Sequence, residues 1–208
     1  LHVLVDDGST DGTSQSVQRA FPDVQLVQGD GTLYWASGMR FGWEVALKNQ
    51  NLDALVVYND DVKIETGAIM RLLDASAELY RAGHTKHVVV APLMDTDKRG
   101  TTYGGKVRAI PWLPLVFRSA QPTGVLQRIE TVNMNLGVIS RDALGTIGFL
   151  SPEYRHNAAD YDYGLRLNRA GGSCWLLGMH AGWCDANSAV GTSREPDISL
   201  VERFRRAT

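Results

Sequence analysis

Two pairs of adjacent acidic residues are the groups best suited to chemistry in this 208-residue chain. Asp6-Asp7 and Asp60-Asp61 each follow a short apolar run that is typical of a buried strand. In an open α/β sheet, ligands bind outside the carboxyl ends of the strands, so both pairs are expected in one crevice. Carboxylates gathered there repel one another unless a cation or hydrogen-bond donors compensate them. A hard divalent ion, Mg²⁺ or Mn²⁺, suits such oxygen ligands.

The first acid pair also allows other interpretations. Residues 7–12 (Asp-x-Ser-x-Asp-Gly) imitate the start of a calcium loop, but the closing position is Gln18 rather than Glu, and the segment before it is a strand. An acid pair at a strand end would also suit phosphoryl transfer, as in a receiver domain. For Asp11 and Thr13 we favour helix capping. For the acid pair itself we favour a functional role, because one cap does not need two acids before it.

Alternating strands and helices must position these acids. The apolar patterns predict strands at 2–5, 24–27, 54–58, 87–91, 131–140 and 174–177. They predict helices at 14–20 (capped by Thr13), 37–49, 67–82, 141–147 and 158–169, and a short helix after Ala189. Residues 95–128 are predicted to be irregular, with an edge hairpin. The alternation favours a mostly parallel sheet with helices on both faces.

The composition excludes several classes of protein. The net charge of −2 shows no basic bias, which argues against nucleic acid as the main partner. Only Cys174 and Cys184 are present, without any Asn-x-Ser/Thr site, which favours a reducing, cytoplasmic compartment. No apolar stretch is long enough to span a membrane. The basic run at 202–206 is interpreted as a solvated terminal helix, with contact to an anionic membrane surface as the alternative.

Three segments resemble motifs of glycosyltransferase family 2, the inverting enzymes of the GT-A fold. Val5–Thr13 looks like the family's first motif, residues 29–42 are similar to its glycine-rich second block, and Tyr58–Val62 resembles its DxD motif. The resemblance covers nearly the whole chain and implies one GT-A-like, Rossmann-like α/β domain. We expect a nucleotide-binding half at 1–94 and an acceptor and catalytic half at 95–208. We also expect the family's N-terminal strand and helix to be lacking.

The resemblance assigns the nucleotide side of the site. It implies that Asp6 and Asp7 contact uracil or ribose and that Gly31 lies in the turn beside the donor. Arg40 stands where the family often has Asn, and it would either reach a phosphate or face solvent.

The DxD-like segment is expected to hold the metal. By resemblance, Asp61 matches the last acid of the motif and is the metal ligand for Mn²⁺ or Mg²⁺. Asp60 would hold the ribose, or the ion through water. Asn59 replaces the first acid and offers a carbonyl oxygen without charge. The family's late His is absent, since Cys184 or Asp185 falls at that place and His180 is offset from it.

The segment Ala159–Arg166 resembles the family's Glu-Asp-x-Asp motif, with Ala159 in place of the Glu. It implies that Asp160 is the general base, near a helix start whose dipole favours its ionised form. Asp162 is equally well explained as a helix N-terminal acid. Asn133 and Asn135, expected on the preceding strand, resemble the positions that face the donor sugar.

The predicted function is therefore inverting transfer of a sugar to a hydroxyl of a glycan or lipid-linked acceptor. The donor would be a UDP-, dTDP- or GDP-sugar, and the enzyme would work in the cytoplasm, at the inner face of the membrane. The alternative is a non-catalytic module of the same fold that binds a nucleotide-sugar or glycan.

Overall fold

The computed structural model describes residues 1–48, 52–97, 100–110, 112–113, 116–154 and 158–186. The helices in these ranges are α1 Thr13–Ala20, α2 Tyr34–Leu47, α3 Ala68–Arg81, α4 Arg141–Ile147 and α5 Ala159–Arg169. The strands are β1 His2–Asp6, β2 Val24–Gln28, β3 Ala54–Tyr58, β4 Lys63–Ile64, β5 His87–Val90, β6 Leu93–Met94, β7 Thr101–Tyr103, β8 Gly105–Arg108, β9 Phe117–Ser119, β10 Gln127–Ile129, β11 Thr131–Val132, β12 Leu136–Ser140, β13 Ser173–Leu176 and β14 Gly182–Trp183. None of these helices combines the length and apolarity needed to cross a bilayer.

The central sheet is mixed, with the strand order β10-β13-β5-β12-β3. The α/β class is confirmed, but the expectation of a mostly parallel sheet is wrong for this layer. β13 and β5 run parallel, whereas β12 runs antiparallel to both β5 and β3. The physical reason is that the chain enters β12 from the edge at which β3 and β5 end. Leu136 accordingly pairs with Tyr58, and Gly137 with Val90.

β1 and β2 form a separate parallel pair. Within the described ranges β1 has no other strand partner, so this pair is joined to the central sheet by packing and side chains. α2 packs against β1, where Gly38 and Gly42 face Val5. A Cβ at Gly42 would lie 3.0 Å from Cγ2 of Val5. The two glycines thus let α2 approach β1 closely.

Apolar side chains cover both faces of the central sheet. Successive residues of a strand point to opposite faces, and β5 shows this alternation. Val88 and Val90 join the cluster formed with α2, α4 and α5, while Val89 joins the cluster formed with α3. All three valines are fully buried. The predicted placement of helices on both faces is therefore confirmed.

Several boundaries differ from the predictions for local reasons. α1 is preceded by Gly12 in a left-handed conformation (φ 87°), so Thr13 is its first residue and not its cap. The predicted strand 131–140 is interrupted, and Asn133 and Asn135 lie in a loop between β11 and β12. The irregular stretch 95–128 contains the expected hairpin, β8–β9, and also contributes β10 to the central sheet. The helix predicted after Ala189 and the basic run at 202–206 lie outside the described residues.

Candidate active site

Asp7 fastens the loop after β2, and the start of α2, to the end of β1. Its Oδ1 accepts a hydrogen bond from the backbone N–H of Gly31 at 2.9 Å. Its Oδ2 accepts from the N–H groups of Leu33 at 2.9 Å and Tyr34 at 3.1 Å. These N–H groups belong to the first turn of a helix, which lacks intrahelical partners for them. Tyr34 has φ 55°, an uncommon conformation for a residue with a side chain, and Asp7 holds it there.

Asp6 is buried inside the same turn, and both its oxygens are engaged. Oδ1 accepts from the N–H of Ser9 at 2.9 Å, and Oδ2 accepts a short hydrogen bond from the hydroxyl of Ser14. The bond from Ser14, followed by those from Ser9, holds the pKa of Asp6 below its ordinary value. These contacts explain the burial of Asp6 without a ligand. Its predicted contact with uracil or ribose stays a prediction.

Trp35 connects this turn to the end of β3. Its indole Nε1 donates to the side-chain oxygen of Asn59 at 2.9 Å. The backbone N–H of Asn59 in turn donates to the carbonyl oxygen of Asn135 at 3.0 Å. An amide at position 59 suits this arrangement, because it accepts from the indole without placing a charge there. The ends of β1 and β3 and the loop before β12 thus share one edge, as the sequence predicted for the two acid pairs.

Asp61 and Cys184 form the next contact along this edge. The buried Cys184 thiol donates to the backbone carbonyl of Asp185 at 3.7 Å, and the side chain of Asp61 beside it is exposed. Burial, together with the negative charge of Asp61, raises the pKa of Cys184 to about 11. The thiol is therefore protonated at neutral pH, as its donation to the Asp185 carbonyl requires. Nδ2 of Asn135 lies 3.9 Å from the same sulfur, and the neighbouring Asp60 is exposed.

Asp160 is a buried carboxylate in the first turn of α5. Its Oδ2 accepts from Nδ2 of Asn133 at 3.1 Å and from the N–H of Met134 at 3.3 Å. Its Oδ1 accepts from the N–H of Tyr161 at 2.9 Å. Burial outweighs these bonds and raises the pKa of Asp160. The residue before the helix, Ala158, has φ 64°, and such strained positions concentrate at functional sites.

Asn133 leaves a polar atom next to Asp160 without a partner. Its Nδ2 donates to the carboxylate, so its Oδ1 points elsewhere, and in the described part of the chain that buried oxygen accepts no hydrogen bond. An unsatisfied buried acceptor costs free energy, on the order of 1–3 kcal/mol. A hydroxyl group of a bound ligand would relieve this cost.

The chain resembles known proteins in sequence and in fold. No family model matches the chain. Two curated relatives, from two strains of Mycobacterium tuberculosis, are N-acetylglucosaminyl-diphospho-decaprenol L-rhamnosyltransferases. Each is 30% identical over 199 residues, which cover 84% of this chain and 62% of the relative. The chain thus spans less than two thirds of the length of these relatives.

Solved structures add the fold. GalNAc-T7 with UDP, GalNAc and Mn²⁺ has a TM-score of 0.58 at 10% identity, covering 89% of this chain and 39% of that one. The chain therefore has the GT-A fold. A197 from STIV has a TM-score of 0.50 at 12% identity, and the match covers 85% of this chain and 82% of the A197 chain. The resemblance drawn from the sequence motifs is confirmed at this level.

A divalent ion fits this edge of the sheet only as part of a site completed by substrate. The described residues contain no cluster of three or more His, Cys, Asp or Glu side chains that would hold a metal alone. Asp61 offers one exposed carboxylate. Mg²⁺ is commonly bound through one or two carboxylates plus substrate phosphates, and this pattern suits a single Asp beside a diphosphate. His180 bonds to Thr101 at 2.9 Å, and Asp185 accepts from Thr96, so both have protein partners.

Two arginines, Arg40 and Arg166, donate to backbone carbonyl groups. Arg40 donates to the carbonyl of Ser151 at 3.1 Å and is half-buried. Arg166 pairs with Asp162 at 2.7 Å, which gives Asp162 the structural role of a helix acid. Both arginines line a cavity of about 440 Å³ between α2 and the segment joining α4 to α5. The contact of Arg40 with a donor phosphate stays a prediction.

Three contributors to the site were missed by the sequence interpretation. Trp35 holds Asn59, the N–H of Met134 supports Asp160, and Gly164 lets α5 approach β11. A Cβ at Gly164 would lie 2.5 Å from Oγ1 of Thr131, so only glycine fits there. An indole beside a glycine-rich turn is a detectable signal for a hydrogen-bond donor. The contribution of a backbone N–H leaves no signal in the residue types.

Proposed function

We propose that this chain carries the catalytic centre of an inverting, family 2 glycosyltransferase, with Asp160 as the general base. The supporting observation is the buried carboxylate of Asp160, with its raised pKa, beside the unpartnered oxygen of Asn133. A general base works best when its pKa is closer to the operating pH than that of an ordinary carboxyl group. The loop 133–135 joins this base to the edge that holds Asn59 and Asp61.

The reaction balances with the residues of this edge. The acceptor hydroxyl oxygen attacks the anomeric carbon of the donor, while the Asp160 carboxylate takes the hydroxyl proton. The bond between the anomeric carbon and the diphosphate oxygen breaks, and the nucleoside diphosphate leaves with the electron pair. Attack opposite the leaving group inverts the anomeric centre. A divalent ion at Asp61, Mn²⁺ or Mg²⁺, would neutralise the charge of the leaving diphosphate when bound.

The donor would lie across residues 1–94, with the acceptor on 95–208. Because Asp7 and Asn59 already have protein partners, we propose that they act mainly by shaping the pocket for the base and ribose. We propose that Asp60, which is exposed, contacts the ribose directly instead of shaping the pocket. The remaining predicted donor contacts are Asp6, Gly31, Arg40 and Asn135.

The relatives suggest the substrates. We propose that the donor is a UDP-, dTDP- or GDP-sugar and that the sugar to test first is a rhamnose-like hexose. The proposed acceptor carries a sugar diphosphate on a polyprenyl lipid. The proposed product is an intermediate of a cell-envelope polysaccharide, made by a peripheral enzyme at the inner face of the membrane.

A donor screen tests this proposal. Nucleoside diphosphates and their sugars are titrated by calorimetry with and without Mn²⁺, and turnover is followed with N-acetylglucosaminyl-diphospho-polyprenol as the acceptor. We expect one base to bind in a Mn²⁺-dependent manner and transfer to give the inverted anomer by NMR. Asp61→Asn should remove the Mn²⁺ dependence, whereas Asp74→Asn, an exposed acid on α3, should keep it.

Each other outcome has a distinct meaning. Mn²⁺-dependent binding without turnover of any donor would favour the non-catalytic binding module. A retained anomer would refute the role of Asp160 as general base in a single displacement. The absence of nucleotide binding, with and without metal, would overturn the proposal as a whole.

A further inference from the structure

The hairpin of β8 and β9 carries large apolar side chains into solvent. Trp112 is 80% exposed, the highest value among the large hydrophobic residues of the described chain, and Leu113 and Val116 are 41% and 42% exposed. The eight residues from Ala109 to Val116 include no charged residue. We call the described residues among them (109, 110, 112, 113 and 116) the apolar tip. Exposed apolar surface of this kind marks an interaction site.

Backbone hydrogen bonds within the apolar tip lower the cost of removing it from water. The N–H of Ala109 donates to the carbonyl of Val116 at 2.8 Å, that of Leu113 to Ile110 at 3.1 Å, and that of Val116 to Leu113 at 3.3 Å. The sequence also places prolines at 111 and 114, which have no N–H to satisfy. Unsatisfied backbone groups are the main obstacle to entering an apolar medium. Three N–H groups among the described residues of the apolar tip already have partners within it.

The charge around the apolar tip is one-sided. Between Lys98 and Ile129 the sequence has six basic residues and no acidic residue, although the whole chain has a net charge of −2. Two of the six, Arg108 and Arg118, flank the apolar tip on adjacent strands. Arg118 is exposed, and Arg108 lies 3.8 Å from Glu130 at the base of the hairpin. Basic residues beside exposed apolar and Trp side chains are typical of contact with anionic lipid headgroups.

The base of the hairpin reaches the proposed catalytic centre. Phe117 packs edge-to-face on Tyr161, with the ring centroids 5.9 Å apart. The N–H of Tyr161 donates to Asp160. β8 also pairs with β11, just before Asn133. The hairpin therefore connects the apolar tip directly to the residues around Asp160.

We propose that the apolar tip inserts into the interface of an anionic lipid bilayer and so holds Asp160 near a membrane-embedded acceptor. The second clause rests on the proposed function, whereas the insertion itself does not. A second copy of this chain is a poorer occupant, because a stable interface buries about 800 Å² on each partner, with roughly 20–30 residues a side. The five described residues of the apolar tip are too few for that. A Trp side chain suits the membrane–water interface, because its amphipathic ring sits at the level of the lipid headgroups.

The test is sedimentation with vesicles of phosphatidylcholine alone and of phosphatidylcholine with 30% phosphatidylglycerol. The wild-type chain should bind the anionic vesicles more tightly, and added salt should weaken the binding, because exposed charges are screened. The double change Trp112→Ser and Leu113→Ser should lower the partition coefficient at least about tenfold, given the apolar area lost. Arg118→Gln should reduce the preference for anionic vesicles. Tyr80→Ser, which removes an exposed aromatic ring from α3, is the matched control and should bind as wild type does.

Unchanged thermal unfolding of the double variant shows that it remains folded. Equal binding by the double variant and wild type, or no binding of wild type to either vesicle, would overturn the proposal. If wild type is a dimer in sedimentation velocity and the double variant is a monomer, the apolar tip binds a second copy of the chain and not a bilayer, and the proposal is overturned. Since vesicle binding needs neither donor nor acceptor, a chain that binds vesicles but transfers no sugar would sink only the proposed function.

Discussion

Replacing Asp160 by Asn separates catalysis from folding. General-base assistance contributes about 10²–10⁴-fold to the rate of a transfer, so Asp160→Asn should lower kcat by that factor while nucleotide binding stays intact. The amide keeps one acceptor oxygen for Asn133 and Met134. Its nitrogen then faces the N–H of Tyr161, and one hydrogen bond is lost, at a cost of about 1 kcal/mol.

The stability effect has the opposite direction to the catalytic effect. Burial raises the folded-state pKa of Asp160 above its unfolded value. Its contribution to stability is therefore fully present below the unfolded pKa and is lost as the pH rises through the folded pKa. At neutral pH the ionised carboxylate weakens the fold, and a neutral amide removes that penalty. We expect the Tm of Asp160→Asn at pH 7 to equal or exceed that of wild type.

The assay combines turnover, calorimetry of nucleotide binding and thermal unfolding. In wild type, kcat/KM should fall at low pH as Asp160 is protonated, and at a higher pH than an ordinary Asp would give, since its pKa is raised. Asp162→Asn, two residues along the same helix, loses only the pair with Arg166 and should keep transfer within a few fold of wild type. Turnover of Asp160→Asn at the wild-type rate would refute the assignment. An equal loss in Asp162→Asn would refute the distinction between the two acids.

Three further predictions concern stability. Ser14→Ala should lower the free energy of unfolding by about 1.5–3 kcal/mol, because the buried Asp6 carboxylate loses a donor, whereas the exposed Ser16→Ala should change it little in urea titrations. Tyr163→Phe should raise the free energy of unfolding by about 1 kcal/mol, because the buried hydroxyl finds no partner among the described residues; a lower Tm would contradict this. Burial lowers the pKa of His87, so neutral His87 contributes its full share to the free energy of unfolding above the unfolded pKa of about 6.5, and this share is lost as the pH falls. Denaturant titrations from pH 8 to pH 5 should show the free energy of unfolding decline, and His87→Gln should make that decline shallower.

Periodicity predicted the elements that have one clear apolar face. α4 runs over the predicted residues, and β3 has both predicted ends. The shared edge of the two acid pairs also followed from the strand ends, because Asp7 and Asn59 are joined through residues 33–35. The α/β class and the glycosyltransferase resemblance followed from the same motifs.

The failures arose where one contact overrides local pattern. α2 begins at Tyr34, three residues early, because the distant Asp7 carboxylate accepts its first N–H groups. The break at 133–135 carries two Asn residues, which are common in turns, but the long apolar and β-branched run around them outweighed that signal in the prediction. The break forms because Met134 and Asn133 turn toward Asp160, which lies 26 and 27 residues later. The direction of β12 likewise depends on sheet assembly, which a single strand's residues do not encode.

The separation of β1–β2 from the central sheet has a consequence for amide hydrogen exchange. Val88, Val89 and Val90 have neighbouring strands on both sides and no solvent exposure, so their amides should exchange only through global unfolding. β1 is tied to the remainder mainly by packing and by a few side chains, and its amides should exchange through smaller, local openings. A ligand that bridges Asp7 and Asn59 would join the two units. Its binding energy would then oppose the local opening of β1 and β2, and their amides would exchange more slowly.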